Sequence, residues 1–311
     1  MKIMFMGTPD FAVECLKSLI EAGHEIVSVI TTPDKPRGRG HKMCPTPVCE
    51  YAESQSLTVY KPLNLKKENF EDILKDNNPE LIVVVAYGRI LPVYVLDYPK
   101  YGCINVHASL LPKYRGAAPI QRSIIDGETS TGVTTMYMAE GLDTGDMLLK
   151  SVVEITSEDN FETLHDKLAL SGAKLIVETI DLLKKNMLNP EKQDDTLSNY
   201  ASMITKETTC IDWRETADNI HNLVRGLFPV PKAYTLYQGK MMKICRTLLT
   251  DKTTDKPCGE ILSKDNEAFY VACGNKSVIK VITIQAEGKK VTDVCEFLKG
   301  NTIELGVILG G

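Results

Sequence analysis

Apolar residues come in short unbroken runs over the first half of the chain and in alternation with polar ones over the last third. KIMFMG at 2–7 and LIVVVAYG at 81–88 have the pattern of parallel strands covered on both faces. After the first run, Thr8 reads as an N-cap, Pro9 as the first helical position of an amphipathic segment to Ala22, and Gly23 as its stop. EIVSVIT at 25–31, GCINVH at 102–107, and the stretches 132–138 and 147–154 are further strands, and a long amphipathic helix follows over 160–185. Strand, helix, strand repeated in this way predicts an α/β fold: a Rossmann-like domain with an open, mostly parallel sheet and ligands at the carboxyl ends of its strands.

The pattern then changes. NPEKQDDTLSNYA at 189–201 is polar, contains a proline and predicts a linker. Beyond a helical segment at 214–226, the runs YTLYQ, MMKICRTLL, GEILS, AFYVACG and VIKVITIQA are separated by Gly, Asn and Asp turns. That spacing predicts a small antiparallel OB-like β-barrel. The expected organisation is a first domain over 1–188, a linker over 189–205 and a second domain over 206–311.

Composition narrows the class. At 311 residues the chain can hold two cores, and 43% hydrophobic with 25% charged residues is ordinary for a soluble protein. No apolar run reaches the roughly 18 residues of a membrane span, and the start is strand-like, not a signal peptide, so a cytoplasmic location is expected. Nine cysteines without a C-x-x-C pair fit reduced thiols, and no metal is expected. The net charge of -5 is uneven: from Lys206 onward there are 15 Lys and Arg against 13 Asp and Glu, and before it 21 against 28. The later part is the one suited to a polyanion.

Alternation places Asn105 and His107 on one face of the 102–107 strand, at the end where such a sheet binds ligands. GLDTGD at 141–146 offers Asp143 between glycines that allow close backbone approach. Together, an Asn, a His and an Asp can bind an oxyanion, move a proton and hold the imidazole charged. On residue types alone, a structural polar cluster and an active site stand level. Ser109 has no G-x-S-x-G elbow, which argues against a serine hydrolase. A dinucleotide enzyme would need Asp34 at a ribose, yet GTPDFA has one glycine where the fingerprint needs three, so Gly7 reads as a tight turn.

HASLLPKYRG at 107–116, with Asn105 before it and GLDTGD after it, resembles the signature of the folate-dependent formyltransferases. MGTPDFA at the start, TTPDKPRGRGHKM at 31–43, AYGRILP at 86–92, RGAAPIQ at 115–121 and ITKETTCIDW at 204–213 extend the resemblance along the whole chain. They narrow it to the branch that formylates methionine carried on initiator tRNA. The resemblance implies a formyl-transfer domain followed by a tRNA-binding barrel, 10-formyltetrahydrofolate as cosubstrate, methionyl initiator tRNA as partner, and a monomer. Asn105, His107 and Asp143 match the family's catalytic trio: the first two to stabilise the oxyanion formed when the amine attacks the formyl carbon, the third to keep His107 charged and help take the amine proton.

The same resemblance places folate in a groove lined by Tyr87, Gly88, Arg89, Ile90 and Leu91, by Ser109, Leu110, Leu111 and Pro112, and by the 139–143 loop with Glu140. It assigns the basic loop DKPRGRGHK at 34–42 to the tRNA acceptor arm through Arg37, Arg39 and Lys42, and it makes Lys206, Arg225 and Lys243 candidates for contacts from the barrel, with Lys240 and Lys289. There are two departures: Cys49 stands where the family often has lysine, and FPVP at 228–231 where Asn-Pro-Trp-Pro is frequent. They bear on tRNA docking and leave the trio untouched. An amino-sugar nucleotide or a purine precursor is the alternative acceptor, against which the basic loop and the barrel argue. A folate- or tRNA-binding protein without catalysis would be expected to lack His107 or Asp143. His24, His41, His165 and His221 read as surface or packing residues, and Trp213 as packing.

Overall fold

The computed structural model describes residues 1–37 and 42–310, with only the backbone of Arg37. The chain divides into two compact units: Met1–Pro119, Ser130–Glu154 and His165–Ala201 form one, and Ile120–Thr129, Ile155–Leu164 and Ser202–Gly311 the other.

In chain order the elements of the first part are β1 (Lys2–Gly7), α1 (Asp10–Glu21), β2 (Glu25–Ile30), β3 (Lys35–Arg37), β4 (Lys42–Cys44), α2 (Pro47–Ser54), β5 (Val59–Tyr60), α3 (Lys67–Asn77), β6 (Leu81–Val85), α4 (Val93–Leu96), β7 (Cys103–His107), β8 (Arg115–Gly116), α5 (Pro119–Ile125), β9 (Ser130–Tyr137), β10 (Met147–Glu154), α6 (Phe161–Lys184) and β11 (Tyr200–Ala201). Seven strands make the main sheet of the first unit, in the order β10-β9-β7-β6-β1-β2-β5. β5, β2, β1, β6 and β7 run parallel, and β9 and β10 add antiparallel to one edge. The mostly parallel sheet expected from the apolar runs is what forms. Every residue of β6 is buried, so this strand can offer chemistry only from its ends.

Local details depart from the pattern. Thr8 does not cap α1: Pro9 takes the N-cap position without a side-chain bond, and Thr8 Oγ1 donates instead to the Tyr87 carbonyl at 3.2 Å. β6 stops at Val85, short of the 81–88 run, because Ala86 and Gly88 adopt positive φ (45° and 81°) and turn the chain outward. α2, β5 and α3 were not expected. α2 begins with Thr46 accepting the Cys49 N–H at 3.1 Å and Pro47 in its first turn. α3, KENFEDILKDN, buries only Phe70 and Leu74 fully, too narrow an apolar stripe to stand out among its charges.

The second unit contains α7 (Ala217–Leu227), β12 (Ala233–Tyr237), β13 (Lys240–Thr253), β14 (Ile261–Lys264), β15 (Phe269–Ala272), β16 (Ser277–Ala286), β17 (Thr292–Asp293) and α8 (Val294–Leu298). Its sheet is antiparallel, β12-β13-β16-β15-β14, with β17 beside β16. The C-terminal segment reaches both edges. Ile261 N–H donates to Val307 and Leu309 N–H to Gly259 beside β14, and Gly310 N–H donates to Leu236 of β12, each at 2.9 Å. This gives the sheet its barrel-like closure. The core gathers Trp213, Ile220, Val224, Phe269, Ile279 and Ile284. Trp213 packs there as expected, with its Nε1–H donating to Thr235 Oγ1 at 2.9 Å. All nine cysteines are free, and among the described residues no helix is long and apolar enough to cross a membrane.

Candidate active site

β7 is the last strand of the parallel set, and its carboxyl end carries Asn105 and His107 on one face. His107 is buried and opposes Thr134 on β9. Thr134 Oγ1 accepts the Leu111 N–H at 3.1 Å and donates to the Ser109 carbonyl at 2.7 Å, which fastens the turn after β7 to the sheet. His107 Nε2 lies 2.9 Å from the Tyr114 carbonyl. A carbonyl only accepts, so Nε2 carries the proton and Nδ1 is the nitrogen left for chemistry. Nδ1 faces Asp143 Oδ2 at 3.7 Å, a gap too long for a direct hydrogen bond.

Asp143 is held at φ +53°, and its Oδ2 accepts the Gly116 N–H at 2.9 Å. A left-handed aspartate persists where its surroundings over-determine it. Part of that support is Gly145, where a Cβ would fall 1.8 Å from the Tyr137 carbonyl. Gly145 of GLDTGD is therefore needed for close packing of the loop. Asn105 is half-buried, and its amide has no protein hydrogen bond among the described residues. A carboxamide free to donate, an imidazole nitrogen and a carboxylate meet at one strand end, which is the donor and acceptor set for an addition to a carbonyl.

The residues expected at the folate groove divide by their surroundings. Tyr87, Leu91 and Leu111 pack into apolar cores, and the Tyr87 carbonyl and Leu111 N–H are engaged by Thr8 and Thr134. Leu110 lies against Gly132, where a Cβ would meet its Cδ2 at 2.5 Å, and Ser109 is buried with its hydroxyl donating to the Lys113 carbonyl. Arg89 donates to the Pro62 carbonyl at 2.9 Å and sits over the Tyr87 ring. Gly88, Glu140 and Ile90 are exposed, Ile90 to 82%, and Pro112 is half-buried.

Of the expected tRNA contacts, Arg39 lies outside the described residues and Arg37 is described by its backbone alone. Lys42 is exposed on β4, which pairs with β3. Lys206 is exposed in the second unit, while Lys243 Nζ donates to the Pro231 carbonyl at 3.3 Å. Arg225 is different: its guanidinium donates to the Thr156 and Asp159 carbonyls and to Asn222 Oδ1, so it is engaged within the second unit. Asp34 pairs with Lys61 at 2.7 Å.

The stretch 189–201, expected as a linker, belongs to the first unit. Through Glu191, Gln193, Asp195, Asn199 and β11 it is hydrogen-bonded to the loops of the site, and polarity without periodicity gave no sign of this.

Comparison with known proteins follows the same lines. A family model described as formyl transferase matches residues 1–180, and one for the formyl transferase C-terminal domain matches 203–302. The methionyl-tRNA formyltransferase of Caldanaerobacter subterraneus is 50% identical over 310 residues, covering 99% of this chain and all of that one. That of Alkaliphilus oremlandii is 48% identical over the full length of both. Among solved structures, the N-formyltransferase of Helicobacter canadensis in complex with folinic acid and dTDP-3-aminofucose shares the fold with a TM-score of 0.66, at 20% identity over 92% of this chain and 99% of that one. With both halves matched by family models and relatives half identical from end to end, the chain belongs to the formyl transferase family, in the branch that the methionyl-tRNA formyltransferases represent.

Proposed function

We propose that this chain transfers the formyl group of 10-formyltetrahydrofolate to the α-amino group of methionine on initiator methionyl-tRNA, acting in the cytoplasm as a monomer. The observation that carries the reading is the meeting of Asn105, His107 Nδ1 and Asp143 at the end of β7, in a chain half identical to methionyl-tRNA formyltransferases. The free amide of Asn105 and the exposed side chain of Ile90 fit a ligand that brings a carbonyl and a flat apolar body to this strand end.

When bound, the folate supplies an activated formyl carbonyl. Asn105 donates an N–H to the oxygen of that carbonyl, and His107, protonated on Nδ1, donates a second as negative charge develops there. Each such donor is worth about 3–4 kcal/mol in the transition state. Asp143 accepts the proton that the attacking amine loses, directly or through a water; as the intermediate collapses, the bond from the formyl carbon to the folate nitrogen breaks and that nitrogen takes up the proton. The Tyr114 carbonyl accepts the Nε2–H and so orients the ring with Nδ1 toward the reacting oxygen. The loop at 34–42 and the second unit bind the tRNA through Arg37, Arg39, Lys42, Lys206 and Lys243, with the salt dependence that phosphate contacts bring.

Incubation with 10-formyltetrahydrofolate and methionyl initiator tRNA, with free methionine and an amino-sugar nucleotide as parallel acceptors, tests this. Formylmethionine released only from the charged tRNA is the expected result. Transfer only to the sugar nucleotide would keep the trio and overturn the tRNA reading.

A further inference from the structure

The polar stretch 189–201 lies across the loops that carry the site. Glu191 and Met147 exchange backbone hydrogen bonds at 2.8 and 2.9 Å at the start of β10. Gln193 follows, and its side-chain amide is engaged on both sides. Nε2 donates to the carbonyls of Asp143 at 2.7 Å and Gly145 at 2.8 Å, and Oε1 accepts from Arg115 Nε at 2.9 Å. Arg115 is fixed in turn by Asp195 at 2.8 Å. Further along, Asn199 Oδ1 accepts the Tyr114 N–H, the Asn199 carbonyl accepts the Arg115 N–H at 3.1 Å, and β11 pairs with β8.

Three of these contacts reach a member of the trio or a group that holds one. Asp143 is the left-handed residue whose own carbonyl Gln193 grips. Tyr114, also at positive φ (59°), offers the carbonyl that receives His107 Nε2–H, and its N–H is fixed by Asn199. Gly116, paired with Ala201, gives its N–H to the Asp143 carboxylate. A primary amide suits the Gln193 position: it supplies two donors and an acceptor at that reach, whereas glutamate lacks both donors and asparagine is one carbon shorter.

We propose that Gln193 and Asn199 are positioning residues for the transfer, Gln193 setting Asp143 and Asn199 setting His107 through Tyr114, so that the stretch 193–199 is a working part of the site. This rests on the catalytic reading of Asp143 and His107. Neither residue touches the reacting atoms, and their loss shows in turnover, not in ligand binding.

The test is steady-state kinetics of the full chain with Gln193→Ala, Gln193→Glu, Asn199→Ala and Asn199→Asp, together with Asp143→Asn and the double variant Gln193→Ala with Asp143→Asn. Expected are falls in kcat of about 10- to 100-fold for Gln193→Ala, Gln193→Glu and Asn199→Ala, with KM for both substrates within about twofold. Asn199→Asp, which keeps the acceptor for Tyr114 N–H, should recover most of that loss. In the double variant, Gln193→Ala should add less than about twofold to the loss in Asp143→Asn, since the carboxylate it positions is already gone. Gln193→Glu keeps the contact to Arg115 Nε but turns a carboxylate oxygen toward the two carbonyls, so it should lose at least as much as Gln193→Ala. Wild-type kcat in the Gln193 variants beside a crippled Asp143→Asn overturns this proposal alone, as does full multiplicativity in the double variant. Wild-type kcat in Asp143→Asn removes the catalytic reading of Asp143, and this proposal with it.

Discussion

β6 and β13 show two ways of using a strand. β6 is five residues long, buried throughout, and reaches ligands only through the loop that leaves its end. β13 runs for 14 residues with Met242, Ile244, Cys245 and Thr247 buried and Lys240, Arg246, Leu248 and Leu249 exposed, so it presents a face along its length. A parallel sheet covered on both sides concentrates chemistry at one end, where a few side chains can be held to fractions of an ångström. An antiparallel sheet with one solvated face spreads modest contacts over an area, which suits a long charged partner. Substitutions in the first unit should therefore act steeply and on turnover, and those in the second should act shallowly and on binding.

The largest effects should come from the strand end. His107→Ala and Asn105→Ala should each lower kcat by about 10²- to 10³-fold while leaving tRNA affinity nearly intact, as read by single-turnover assays beside filter binding. Equal loss of both would place the defect in folding. Gly145→Ala comes next. Its Cβ cannot coexist with the Tyr137 carbonyl at 1.8 Å, so the loop must shift and carry Asp143 with it, and a loss of about a hundredfold in kcat is expected. In the second unit, Lys206→Ala and Lys243→Ala should raise KM for the tRNA only a fewfold. Each should reduce the slope of log affinity against log salt by roughly 0.7 to 0.9, without touching kcat. A kcat effect from either lysine would break the contrast between the units.

The smallest effect concerns pH. His221 on α7 is half-buried and bonded through Nδ1 to Thr247 Oγ1 at 2.9 Å. Burial pushes its pKa below the usual histidine value, Arg225 adds to this, and Asp218 and Glu158 oppose it. The folded state thus binds fewer protons than the unfolded one below an unfolded pKa of about 6.5, and stability falls as pH drops through that value. His24 has the same sign, again chiefly from burial, with Lys184 next. Urea midpoints at pH 7 and 5.5 should show the decline, and His221→Gln should reduce it.

Much of the fold was legible because its signals were local. Unbroken apolar runs gave β1, β2, β6 and β7, and alternation gave the strands of the second unit, although their ends moved by a few residues where a positive φ or a cap intervened. α3 stayed hidden because two buried residues among charges make little pattern. At the site, Asn105 and His107 could be paired from strand alternation alone, since they sit two residues apart. Asp143 could be brought to them only by resemblance, because no periodicity spans a loop. Gln193 was invisible for the same reason. Its partners are two carbonyls about fifty positions away, and a carbonyl has no side-chain identity to read.

The two halves of the site also differ in how far along the chain their supports lie. The imidazole is secured by Tyr114, seven residues on, whereas the Asp143 backbone is gripped from residue 193. During synthesis both halves nonetheless wait for the stretch 193–199, because Gln193 grips the Asp143 carbonyl and Asn199 holds the Tyr114 N–H. A nascent chain halted at 188 would carry Asn105, His107 and Asp143 and still lack Gln193 and Asn199, so the hydrogen bonds around Asp143 and Tyr114 close only once residues 193–199 have been made.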